Sequence, residues 1–111
     1  MIARFVQKGN AIDYRPSAAV AAGDVIVQGN LVGIARLDIP ADTLGPLAVV
    51  GVYEIAKASG AITVGAVLYW NAANKNVTTT VTNNTYIGKA VTAAASGDAT
   101  VCVLLNAPHV A

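Results

Sequence analysis

Cysteine and histidine are almost missing from this 111-residue chain: Cys102 and His109 stand alone. A single cysteine excludes an intramolecular disulfide and fits synthesis in a reducing interior. Cys102 sits in the apolar run VCVLL, where a buried, inert thiol is expected. A zinc or transition-metal centre needs three or four nitrogen or sulfur ligands at matched spacing, so neither a metal nor another cofactor is expected. The same shortage removes a Ser-His-Asp or Cys-His triad, because His109 would have to serve as base from a frayed end. The carboxylates show no Glu-x-x-His or paired-acid spacing, and the glycines at 60 and 65 are followed by alanine, not by the Lys-Ser/Thr of a phosphate-binding loop. The chain is not expected to be an enzyme.

Charge is scarce too. Seven basic and six acidic residues make 12% of the chain, against roughly a quarter in an average soluble domain. The net charge of +1 comes from scattered residues with no phosphate-tracking stripe, so nucleic acid is not an expected partner. Although 55% of residues are hydrophobic, long apolar runs are lacking. The longest uncharged stretch, Ala58 to Asn74, is interrupted by Ser59, Gly60, Thr63, Gly65, Asn71 and Asn74, whereas a membrane-spanning helix needs about 20 predominantly apolar residues. The opening MIARFVQKGN has no apolar block of the kind that precedes a secretory cleavage site, so no signal peptide is expected.

A chain of 11.2 kDa supports one core, with a folded surface on the order of 5,700 Å². The few charges coat such a surface thinly, which favours a partner that covers part of it. Much of the apolar content is alanine, which tolerates exposure.

What the chain has in quantity is turn chemistry between β-formers. Gly9-Asn10, Gly29-Asn30, Asn83-Asn84 and Ser96-Gly97-Asp98 supply residues suited to tight turns. Between them lie segments rich in Val, Ile, Thr and Tyr: Val25–Gln28, Leu31–Leu37, Leu47–Ile55, Val67–Trp70, Val77–Thr82, Tyr86–Ala93 and Thr100–Leu105, with Ile2–Gln7 and Ile12–Arg15 as first strands. VIVQ-GN-LVGIA, TTTVT-NN-TYIGKAV and AVTAAA-SGD-ATVCVLL read as hairpins. The pattern predicts a single all-β domain over residues 1–111, a small sandwich or barrel of about seven to nine short antiparallel strands. At most one short helix is expected, at Ser17–Gly23, where an extended loop is equally compatible; Asp38–Pro46 is a loop. Asp24 and Asp98 follow glycines and are expected to cap turns. Glu54 and Lys57 are expected to form a rim ion pair. Ala21–Val27, Thr63–Tyr69 and Ala95–Val103 each place a glycine before an apolar strand, at unequal intervals that recurring turn chemistry explains.

Aromatic residues are few, at 5%. Tyr69 and Trp70, adjacent on one strand, must point to opposite faces, one into the core and the other toward solvent or a partner. With Tyr53 they are the candidates for a subunit or partner contact. They are also the candidates for the alternative reading, a ligand- or carbohydrate-binding β module.

Laid out in this way, FVQKGNAIDYRPSAAVAAGDVIVQGNLVGIA (Phe5–Ala35), VGVYEIAKASGAITVGAVLYWNAANKNVTT (Val50–Thr79) and IGKAVTAAASGDATVCVLLN (Ile87–Asn106) resemble the capsid cement, or head decoration, proteins of tailed phages and prophages. Gly65 with Tyr69-Trp70, and Ile87-Gly88-Lys89-Ala90, are the most distinctive parts, and the resemblance runs nearly the whole length outside Arg36–Leu47. It implies a β-rich virion protein on the outside of the head, made in the host bacterial cytoplasm and assembled as a homotrimer. Its partner would be the major capsid protein, whose neighbouring subunits it clamps after the shell expands. It further implies an N-terminal capsid-binding arm within residues 1–11, here carried by Ile2, Arg4, Phe5, Val6 and Gln7. The competing reading makes Ile2–Gln7 the first strand of the domain.

Overall fold

The alternation of apolar and polar residues between turn signals produces nine short strands and, among the described residues, no helix. They are β1 (Ala11–Tyr14), β2 (Val25–Gln28), β3 (Leu31–Ala35), β4 (Gly45–Ala48), β5 (Val52–Ala56), β6 (Val67–Asn71), β7 (Asn76–Thr78), β8 (Thr85–Ala90) and β9 (Thr100–Leu105). The structure, a computed structural model, describes residues 2–107. The strands form a four-stranded sheet ordered β1-β4-β3-β2 and a five-stranded sheet ordered β5-β9-β8-β6-β7. Every ladder between them is antiparallel. This is the all-β, sandwich-like class that the spacing of turns predicts.

Several local expectations change. Ile2–Gln7 forms no strand, and Ser17–Gly23 takes the loop alternative, meeting the Asp38–Pro46 region through the Val20–Ile39 bridge. The expected long strand Leu47–Ile55 is two strands. At Gly51 (φ +119°) the backbone enters a region that side chains disfavour, and the chain leaves the first sheet for the second. TTTVT-NN-TYIGKAV is not a hairpin, because β6 lies between β7 and β8. The β8–β9 pair forms as expected, but its connection is longer than the Ser96-Gly97-Asp98 turn and carries a bridge from Ala94 to Ile62. Cys102 is half-buried, since Val101 and Val103 take the inward positions.

The two sheets are versions of one four-stranded unit. β1-β4-β3-β2 corresponds to β5-β9-β8-β6 in order and direction, and in register up to a β-bulge between Leu68 and Tyr69. Ile34 opposes Ala48 as Lys89 opposes Leu104, and Ala35 opposes Leu47 as Ala90 opposes Val103. Ile26 opposes Gly33 as Leu68 opposes Gly88. The turns match as well: Gly23 N–H donates to Ala35 O (2.6 Å) and Gly65 N–H to Ala90 O (2.7 Å), while Ala35 N–H and Ala90 N–H return bonds to Asp24 O and Ala66 O, each at 3.0 Å. The recurring glycine pattern therefore marks a structural repeat at Gly23 and Gly65. The third glycine, Gly97, belongs to a different turn, between β8 and β9. The second unit differs by an insertion: where the β2–β3 ladder closes through Gly29-Asn30, the β6–β8 ladder, ending at Trp70 and Thr85, closes through residues 71–84, which include the end of β6 and all of β7.

That insertion also curls the second sheet. Ala58 N–H donates to Val77 O (2.8 Å), and Lys57 bridges Val77, so the exit of β5 meets β7. The main core lies inside this curl. Ile55, Leu68, Trp70, Val77, Ile87, Val101, Val103 and Leu105 pack there, joined by Val32 and Ile34 from β3. A smaller core of Val20, Ala35, Ile39 and Leu47 covers the other side of the first sheet. Asn106, at φ +52°, ties the halves together: its Nδ2 donates to Val32 O and Val49 O (2.7 Å each), and its Oδ1 accepts Val32 N–H.

Lys57 makes no rim ion pair with Glu54. It is buried (8% exposed), and its Nζ donates to the carbonyls of Ala95, Ser96 and Asp98 at 3.1, 3.4 and 3.3 Å. Asp98 Oδ2 accepts Ala95 N–H across the same turn, as Asp24 Oδ2 accepts Ala21 N–H, so both aspartates cap turns as expected. Lys57→Met keeps the packed stem but leaves three carbonyls without their donor. It is expected to cost about 2 kcal/mol and to lower the melting temperature by about 10 °C, measured by calorimetry.

Candidate functional site

Residues 2–9 precede β1 without joining either sheet and are exposed almost throughout. Ile2, Phe5 and Val6 are 108%, 80% and 78% exposed. The side-chain hydrogen bond from this stretch is a local one, from Gln7 Nε2 to Ala11 O (3.4 Å). Ile2, Arg4, Phe5, Val6 and Gln7 thus lie together in one unpaired segment, in extended reach of a neighbour.

The three aromatic candidates divide between two places. Trp70 points into the core, and Tyr53 packs against the same cluster. Both line a cleft of about 500 Å³, whose apolar wall includes Val25, Ile34 and Ile55 and whose charged rim carries Asp24, Glu54 and Lys75. Tyr69, one residue before Trp70, faces the opposite side of β6. There its ring meets Tyr86 edge-on, with centroids 6.1 Å apart and planes at 70°.

Burial, and then the negative charge of Tyr69 when ionised, push the Tyr86 phenol above its ordinary pKa; its hydroxyl donates to Ala107 O. The neutral form is the one the fold favours. Stability from this group is therefore fully present at neutral pH and is lost as pH rises from the ordinary tyrosine value through the raised one. Unfolding followed between about pH 8 and 11 is expected to show a decline that Tyr86→Phe flattens.

Sequence reasoning missed a further apolar surface. Val52 and Leu104 oppose one another across β5 and β9 and are 55% and 39% exposed, next to Val50 at 46%. Its signal was the unbroken run VCVLL: with Val101, Val103 and Leu105 inward, alternation must turn Leu104 outward.

Among the described residues no group of His, Cys, Asp and Glu is placed to hold a metal, and no helix is long and apolar enough to cross a membrane. His109 lies outside the described residues. The surfaces that remain suit contact with other macromolecules: an apolar segment free to pair, an apolar patch and an aromatic-walled cleft. A family model described as phage cement protein matches residues 6–105. No curated protein and no solved structure matches the chain.

Proposed function

The chain belongs to the phage cement protein family, whose members are structural components of phage particles, and from that premise we propose that it decorates the outside of a tailed-phage head as a homotrimer. In this reading it is made in the host bacterial cytoplasm and clamps neighbouring major capsid subunits once the shell has expanded. The observation that supports it most directly is the N-terminal segment, which exposes Ile2, Phe5 and Val6 while burying none of them on its own domain. An extended segment of this kind gains main-chain hydrogen bonds by adding to the edge of a partner sheet, and its side chains fill alternate pockets. The Val50, Val52 and Leu104 patch supplies a second apolar contact, between copies. Three linked arms multiply a modest single contact, because each bound arm holds the others at high effective concentration.

The test is cosedimentation of the purified protein with expanded, undecorated shells, beside light scattering across the micromolar range. Saturable binding by a trimer is expected. Failure to sediment with the shells would overturn the capsid role, and a monomer throughout the range would overturn the trimer.

A further inference from the structure

The two halves of the molecule supply their own comparison. In the first, Gly29-Asn30 suffices to close the β2–β3 hairpin; in the second, residues 71–84 stand in the same place. The longer connection is not needed to turn the chain, and long connections in compact domains usually carry function. Apart from Val77, which enters the core, this insertion is built from neutral polar residues and alanines, with Lys75 and Val81 the exceptions. It encloses a groove of about 470 Å³ lined mainly by asparagine and threonine, including Asn74, Asn76, Thr80 and Asn83, with no charged residue on its walls.

Some of these groups are spent locally. Asn71 Oδ1 accepts the N–H groups of Ala73 and Asn74, Thr78 Oγ1 accepts Thr80 N–H, and Asn84 Nδ2 donates to Thr80 O. Asn76 is different: its Oδ1 is buried and meets no donor, a costly condition that needs an explanation. Register adds an aromatic. Asn71 opposes Asn76, and Tyr69 opposes Thr78, so by alternation Tyr69 lies on the face of the two asparagines.

Amides that both donate and accept, threonine hydroxyls, no formal charge and a tyrosine on the same sheet face match one ligand chemistry, a neutral saccharide. Carboxylates and phosphates would find no cation on these walls, and a purely apolar group would strand the amides. We propose that the 71–84 insertion is a binding site for neutral saccharides, with Asn76 turning its unpaired oxygen to a sugar hydroxyl and Tyr69 flanking the ring. This site is separate from the capsid contact and does not depend on it.

The experiment is a heteronuclear NMR titration of the full chain, following backbone and asparagine side-chain amides. The probes are maltotriose, cellotriose, mannotriose and chitotriose, each beside glycerol, and the polysaccharide of any trisaccharide that binds. At least one trisaccharide is expected to shift residues 71–84 saturably at about millimolar concentration, and a stronger response to its polysaccharide would assign the natural source to a polymer. Asn76→Ala removes an atom with no partner, so it is expected to keep the fold and weaken binding about tenfold; Asn74→Ala is the second variant. The proposal is overturned if no probe moves these resonances, if glycerol moves them equally, or if both variants bind like the wild type.

Discussion

Gly88→Ala is expected to leave little folded protein. A Cβ at this position would be driven into the carbonyl oxygen of Leu104, and would stand 2.9 Å from both the carbonyl carbon of Leu104 and a methyl of Val103. The obstacle is backbone of the neighbouring strand, so no rotamer change relieves it. β8 and β9 would have to separate where Gly88 opposes Leu105 and Lys89 opposes Leu104, in the middle of the sheet that encloses the main core. A loss of about 4 kcal/mol or more is expected, against a total of about 5–15 kcal/mol for a domain. Its counterpart in the first half makes a control. The three atoms nearest a Cβ at Gly33 all belong to the Leu47 side chain, Cγ closest and Cδ2 at 2.5 Å; Leu47 is fully buried, so it must shift, at a cost of about 1–3 kcal/mol. Denaturant unfolding of both variants measures the contrast. Equal losses would mean that the backbone approach at Gly88 is not what makes the second unit intolerant.

Removing residues 1–9 is expected to abolish shell binding and to leave the fold untouched. The cut stops before Asn10, because Asn10 O accepts Val49 N–H and Ala11 pairs with Ala48. The segment removed contributes exposed side chains, so the melting temperature should move by no more than about 2 °C, while cosedimentation falls at least about a hundredfold. Phe5 is the largest side chain in the segment and is 80% exposed; Phe5→Ala alone should account for about tenfold or more, as interface energy concentrates in a few aromatic anchors. Loss of folding in the truncated protein would restore the reading of Ile2–Gln7 as a first strand. Retained shell binding would move attachment to another surface.

Strand positions bounded by local turn chemistry could be read from the sequence: β2 and β9 fall where Val25–Gln28 and Thr100–Leu105 were expected, and the Gly29-Asn30 hairpin forms. β7 was misplaced because its partner is chosen by burial. Val77 is fully buried opposite Trp70, and no local feature of Thr79–Asn84 reveals that. Lys57 looked like a solvated charge because only the folded turn at 95–98 brings three carbonyls to it. The repeat was visible as glycines before strands, yet its logic lies in matched registers between segments far apart, with an insertion hiding the spacing. For the candidate contacts, alternation established that Tyr69 and Trp70 part company but not which faces inward. For the N-terminal segment the sequence left an arm and a first strand open, because the exposure of Phe5 and Val6 depends on whether the segment pairs with a sheet.

The repeat bears on how the chain comes to be folded. Every ladder of the first sheet closes within Ala11–Ala48, and every ladder of the second within Val52–Leu105. Neither half waits for the other to complete its strand pairing, so the conformational search divides into two shorter ones and the loop-closure entropy of pairing across the whole chain is avoided. During synthesis the first half can pair its strands while the second is still being made. What it lacks until then is cover for Val32 and Ile34, which the second sheet supplies together with the Asn106 latch just after β9. The fold thus divides into two separately laddered sheets, sealed by a residue that follows the last strand.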